Sequence, residues 1–114
     1  MFDKPKQPCV YIMASGYNGT LYIGVTSQLF DRVMIHKHDL VDGFSKAHQI
    51  HVLVYYEMHA TMDAAILREK QLKKWNRLWK IRLIEEMNPG WQDLFVEGEG
   101  ILFLGKGGIA PRLG

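Results

Sequence analysis

Two strand-forming runs joined by an Asn-Gly turn constrain this chain more than any other feature. Cys9 to Ala14 is apolar and rich in strand formers, Ser15-Gly16-Tyr17-Asn18-Gly19 follows, and Thr20 to Thr26 has the composition of a second strand. Asn-Gly supplies the positive φ angles that a tight reversal needs, so the two runs are expected to pair as a β-hairpin with a slightly long loop. In such a hairpin Tyr11 and Tyr22 share a face and come close across the sheet. Packing is the ordinary use of two such rings, and a chemical role needs further support.

Beyond the hairpin, Ser27 has the character of a helix N-cap, with Asp31 in the first turn where the helix dipole favours an anion. A helix over Gln28 to Asp39 would turn Leu29 and Val33 inward. Val41 to His48, with Gly43 inside it, has the character of a loop, and Ile50 to Met58 that of a third strand. Thr61 is the next N-cap, for a helix over Met62 to Asn76. A second helical stretch runs from Leu78 to Glu86, until Asn88-Pro89-Gly90 stops it. Trp91 and Leu94 then pack back onto the body. The glycine density from Glu97 to Gly114 argues against a regular element there. The apolar run Ile101-Leu102-Phe103-Leu104 argues equally against a simple solvated tail, and leaves two roles: covering a sheet edge, or pairing with a second copy as a homodimer. At 114 residues the chain fits one domain. The expected division is an extension over 1–8, a domain over 9–95 and a Gly-rich tail over 96–114.

Hydrophobic residues make up 47% of the chain, enough for a core. The net charge of +2 decides nothing, but its distribution is uneven. Arg68, Lys70, Lys73, Lys74, Arg77, Lys80 and Arg82 fall in one stretch in which Glu69 is the sole acid. Such a stretch suits a polyanion such as DNA, or forms a solvated helix face. Arg68, Lys70, Lys73, Lys74 and Arg77 are the candidate nucleic-acid contacts. Cys9 is the single cysteine, so the chain can form neither an intramolecular disulfide nor a thiolate zinc cluster, which fits the cytoplasm. The N-terminus lacks the apolar core of a signal peptide, and no apolar run approaches the roughly 18 residues of a membrane span. His36 with His38, and His48 with His51, are close in sequence but lack a zinc-ligand set. Trp75 and Trp79 offer a base-stacking surface, although helix packing is the commoner use of such a pair.

The candidate chemistry lies on two helices and the hairpin. Arg32 and His36 are one helical turn apart and share a face. Arginine grips phosphate through two nitrogens, and histidine exchanges a proton near neutral pH. Glu69 falls inside the apolar stripe of Ala65, Ile66 and Leu72, while Arg68, Lys70, Gln71 and Lys74 project elsewhere. A carboxylate on an inward face is costly unless it is paired or binds a cation. An ion pair with Arg32 and ligation of a divalent metal both answer that requirement. Phosphodiester hydrolysis needs a hard cation, a base for water and a positive group for the charge that builds on phosphate. Glu69, a tyrosine or His36, and Arg32 are residues of those kinds.

The ordered set Cys9-Val10-Tyr11, Tyr22-Ile23-Gly24, Arg32-Val33-Met34-Ile35-His36, Arg68-Glu69-Lys70-Gln71-Leu72-Lys73 and Asn88-Pro89-Gly90-Trp91 resembles the GIY-YIG nucleases. These include the nuclease domain of a bacterial excision-repair subunit and many homing and restriction enzymes, and the short stand-alone bacterial members are the most similar. The resemblance covers about Cys9 to Leu94. It implies an α+β fold, a three-stranded antiparallel sheet flanked by helices. It also implies a metal-dependent endonuclease acting on DNA, in a setting such as DNA repair, with one Mg²⁺ or Mn²⁺ and no small-molecule cofactor. Glu69 would be the metal-binding glutamate and Arg32 the phosphate contact. Tyr11 and Tyr22 would be the motif tyrosines, one of them activating or positioning water. His36 would be their polar partner on the helix, and Asn88 a supporting residue. Cys9 and Val10 stand where the family has glycine and isoleucine. The family often attaches a separate DNA-binding domain, and none is expected here, which tells against sequence-specific cutting; the rival reading is a non-catalytic nucleic-acid-binding module that keeps the fold and the basic helix.

Overall fold

The Asn18-Gly19 reversal sets the first contacts of the fold. Asn18 adopts a left-handed φ of 55°, and Ser15 N–H donates to Thr20 O across the loop mouth at 3.0 Å. A Cβ on Gly19 would collide with Ser15 Oγ, so the turn needs glycine there. The computed structural model describes residues 6–40 and 43–102. The hairpin strands are β1 (Cys9–Ala14) and β2 (Leu21–Thr26), paired antiparallel with Tyr11 opposite Gly24 and Met13 opposite Tyr22. The third strand, β3 (Val52–Met58), joins the other edge of β1 to give the order β2-β1-β3. Every residue of β1 is buried. Since alternate side chains point to opposite faces, both faces of the central strand are covered.

The first helix, α1 (Leu29–Lys37), begins without the expected serine cap. Gln28 is the N-cap residue and no side chain caps the helix end. Instead the Gln28 N–H donates to Thr26 Oγ1 at 3.0 Å, so the threonine that ends β2 orders the entry. The helix stops at Lys37, earlier than expected. Asp39 takes a φ of 54°, with Leu40 N–H on Ile35 O and Asp39 N–H on His36 O. This is a Schellman ending built without glycine. The segment expected to be a loop contains a one-turn helix, α2 (Phe44–Ala47). It ends in the same way, with Gln49 at φ 53° and the buried Ile50 donating to Ser45 O.

Helix α3 (Met62–Lys74) starts at Thr61, whose Oγ1 accepts from Ala64 N–H at 3.1 Å. It ends two residues before the expected Asn76. Asn76 belongs to the next helix, α4 (Arg77–Met87), as its N-cap, accepting from Trp79 N–H at 2.9 Å. Helix α3 lies over β1 and β2, and its Ala65 and Leu72 are fully buried. After α4, Trp91 and Leu94 return to the core, as their apolar character requires. A short hairpin, β4 (Phe95–Val96) with β5 (Gly100–Ile101), follows and corrects the expectation of no regular element after Glu97. Leu102 N–H donates to Leu94 O and Tyr56 Oη–H to Leu102 O, which ties this segment to the sheet. Phe103, Leu104 and the last glycines lie outside the described residues. Among the described residues no helix is long and apolar enough to cross a membrane.

Asn88 has a structural assignment in this frame. The β1–β3 register slips between Ile12 and Met13, leaving Val54 bulged out of the ladder. Asn88 Nδ2 donates to the freed Val54 O at 3.0 Å and to Gln92 O at 2.9 Å, while its Oδ1 accepts from Gln92 N–H at 3.0 Å. The side chain is 1% exposed and clasps the end of α4 to the bulge. Among the described residues it makes no hydrogen bond to a tyrosine, His36 or Glu69. Asn88→Ala would strand the buried Val54 O and free the part-buried Gln92 N–H and C=O, and should lower stability by about 2 kcal/mol, read as a fall in the thermal midpoint.

Candidate active site

Tyr11 is held in place by what its neighbour lacks. It sits opposite Gly24, and a Cβ on Gly24 would overlap the Tyr11 ring at Cζ and Oη. The ring therefore lies flat across the glycine backbone, and its hydroxyl reaches α1. There it meets His36 Nε2 at 3.0 Å. Tyr22, diagonal to Tyr11 on the same face, brings its ring centre to 6.3 Å from Tyr11 and 4.9 Å from His36. The two phenols and the imidazole thus form one cluster between the sheet and α1.

On its far side His36 Nδ1 lies 2.8 Å from Ser45 Oγ on α2. Ser45 is 3% exposed and His36 1%, so the imidazole and its serine partner are shielded from bulk solvent. Two proton arrangements satisfy it. Either Tyr11 donates to Nε2 and Nδ1 donates to the serine, or the serine donates to Nδ1 and Nε2 donates to the tyrosine. The imidazole is neutral in both. Nothing in local spacing marks Ser45, because its partner lies nine positions away across a segment expected to be a loop.

Burial, then the Arg32 and His51 charges, hold the His36 pKa below its ordinary value of 6.5. Burial, then Tyr22, push the Tyr11 phenol well above its ordinary value of 10; Arg32 works the other way and Glu69 adds to the rise. Tyr11 is therefore a protonated phenol in contact with a neutral imidazole. In acid the unfolded chain takes up a proton at His36 more readily than the folded one. The stability that neutral His36 contributes is fully present above 6.5 and is lost as the pH falls below that value and through the lower pKa of the folded state. Urea denaturation at pH 7.5 and 5.5 should show wild type losing more stability in acid than His36→Gln, which cannot titrate there.

Arg32 lies exposed on α1, one turn before His36, and its guanidinium makes no hydrogen bond or ion pair with a described residue. It does not pair with Glu69. Glu69 instead binds Lys73 within α3, Oε2 to Nζ at 2.6 Å, with 12% of its side chain exposed. Its charge reaches the Tyr11 hydroxyl, as does that of Arg32.

Glu57 on β3 is a buried carboxylate of the sheet, and comparison with it singles out the partly buried Glu69. Glu57 takes hydrogen bonds from Tyr55 Oη, from His59 Nε2 at 2.6 Å and from the Arg68 guanidinium at 2.8 and 3.1 Å. Burial opposes its ionisation, but these donors, Arg68 foremost, hold its pKa below the usual range. Its oxygens are filled by protein, whereas among the described residues those of Glu69 meet only a lysine whose side chain is 54% exposed. Among the described residues no three His, Cys, Asp or Glu side chains gather as a metal cage. A single open carboxylate suits Mg²⁺ or Mn²⁺, which keep most of their waters, and does not suit zinc.

The basic stretch is less free than its sequence suggests. Arg68 is spent on Glu57 and lies over the Trp75 ring at 5.3 Å. The Arg77 guanidinium donates to Asn18 O and Gly19 O, both at 2.8 Å, and so braces the hairpin turn. Lys70 and Lys74 are exposed and without such partners among the described residues. Cys9 is no rival nucleophile, since burial and Glu57 push its thiol up to about 12.

Phenols, an imidazole, an open guanidinium and a carboxylate from separate elements are the groups that move protons and steady charge around a phosphodiester. Sheet and site together define a small nuclease-type domain. Residues 7–82 match the family model of the GIY-YIG catalytic domain, and the chain belongs to the GIY-YIG family, a family of nucleases. It is similar to UPF0213 proteins of Staphylococcus haemolyticus, at 34% identity, and Staphylococcus aureus strain Mu3, at 35%. Both alignments span 77 residues, 68% of this chain and 93% of the relative. No solved structure matches the chain.

Proposed function

We infer that the protein is a metal-dependent endonuclease that hydrolyses phosphodiester bonds in DNA. The observation that carries this is the Tyr11–His36–Ser45 chain beside Tyr22, with the charges of Glu69 and Arg32 both reaching the Tyr11 hydroxyl. Tyr11 positions the attacking water and accepts its proton while passing its own to His36 Nε2. A neutral, buried imidazole is ready for that transfer, and Ser45 fixes the ring so that Nε2 faces the phenol. Arg32 takes the non-bridging oxygens of the phosphate, for which a planar two-nitrogen donor is fitted. Tyr22 packs on His36 and closes the open side of the cluster. Glu69 would hold one Mg²⁺ or Mn²⁺. A hard divalent ion in that place supplies charge neutralisation for the phosphate and its departing oxygen. Asn88 supports the site at a distance by fixing α4 to β3.

The direct test is cleavage of supercoiled plasmid and a panel of branched, single-stranded, damaged and plain duplex DNA, with RNA alongside, in Mg²⁺ or Mn²⁺. Nicking that chelator stops is the expected result. DNA that is bound yet intact throughout would leave a binding module instead.

A further inference from the structure

Helix α2 carries two neighbouring side chains with opposite fates. Ser45 turns inward to His36, while Phe44 is left 50% exposed. One face of the Phe44 ring is stacked on His48 at 4.1 Å and 26° between planes, and His48 Nδ1 is bonded to Phe44 O at 3.0 Å. The ring is thus held rather than loose. It lines a cleft of about 290 Å³ together with Leu21, Tyr22, Ile23, Lys73 and Lys80. Tyr22 is the ring that touches His36, so this cleft opens directly from the candidate catalytic cluster.

The lining defines the guest. Among the described residues its charged members are both lysines, Lys73 paired with Glu69 on its own helix, and no acid lines it. An aromatic platform between two ammonium groups matches one nucleotide, with a flat base for the ring and phosphates for the lysines. A base inside a duplex has both faces covered by its neighbours, so only a base out of the stack can lie on Phe44. A second copy of the chain fits less well, because its own lysines would meet these two.

We propose that Phe44 is a stacking platform for an unpaired or flipped nucleobase, flanked by phosphates on Lys73 and Lys80, so that this protein selects nucleic acid with unpaired bases beside the cut. This rests on the nuclease reading of the same site. Base stacking on an aromatic ring commonly supports binding by about tenfold or more.

The test uses full-length Glu69→Gln protein, a 25-base-pair duplex with a three-nucleotide bulge containing 2-aminopurine, and its fully paired counterpart. Binding should quench the bulge fluorescence, and the bulged DNA should bind about tenfold tighter than the paired one. Phe44→Leu in that protein should abolish quenching and preference together, whereas Phe44→Trp should keep both. The His36 ¹⁵N shifts report whether α2 stays seated in each variant. If bulged and paired DNA bind alike, or if Phe44→Leu quenches as strongly as its parent, the platform is wrong. A dimer in sedimentation that Phe44→Leu dissolves would also overturn it. Because nothing is cut in this assay, its failure is separate from a failure of cleavage, which the wild-type plasmid assay reads.

Discussion

Replacing Glu69 with alanine is expected to lower DNA cleavage by on the order of a thousandfold or more, leaving DNA binding and the fold nearly intact. The argument is differential. Neutralising the charge on a phosphate in flight is worth several kcal/mol, and each tenfold in rate corresponds to about 1.4 kcal/mol. Glu69 does little for the folded state, because its partner Lys73 is more than half exposed and lies one turn away on the same helix. Such pairs contribute only about 0.3–0.5 kcal/mol. Single-turnover cleavage, fluorescence anisotropy with labelled duplex and a thermal melt give the three readings. Cleavage that survives the substitution would remove Glu69 from the site. Loss of folding along with activity would make it structural.

The second large effect is expected from a methyl group. Gly24→Ala places a Cβ inside the space of the Tyr11 Cζ and Oη, opposite a strand whose every residue is buried. Carbon atoms pack at about 3.5–4.0 Å, so the ring must tilt away and the bond to His36 must break. Overpacking of this kind costs about 1–3 kcal/mol. Tyr11→Phe removes the hydroxyl while leaving the ring where it is. Both should reduce cleavage by about a hundredfold or more, the range of a lost general base. They part on stability, since Tyr11→Phe only leaves the buried His36 Nε2 without a partner, whereas Gly24→Ala breaks the same bond and adds overpacking, and so should melt lower. Full activity in Tyr11→Phe would move the water-activating role to another residue.

Several parts of the fold were legible because their causes are local. The Asn18-Gly19 turn, the Thr61 cap and the stop after Met87 each depend on residues within a few positions of one another. Helix ends made without glycine were not legible. Asp39 and Gln49 both sit in left-handed backbone, held by carbonyls of the preceding turn rather than by their own preference. For that reason α1 was expected to run too long and α2 to be a loop. The short β4–β5 hairpin escaped notice because composition says little about a pairing this brief.

The site divides in the same way. Glu69 stood out as an acid in an apolar helical stripe, and Arg32 and His36 as a pair one turn apart. The sequence could not say whether Glu69 meets Arg32 or Lys73, nor that Arg68 and Arg77 are spent inside the protein. The Arg68 and Arg77 pairings bridge separate elements, about which local spacing carries no information, whereas Glu69 and Lys73 stand four apart on one helix. By itself the sequence determined which residue types were present, in what order, and the hairpin and helices that carry them. Only the tertiary structure decided that Ser45 meets His36 and that Tyr11 lies on Gly24, because a contact across a sheet or between helices is set by how whole elements pack.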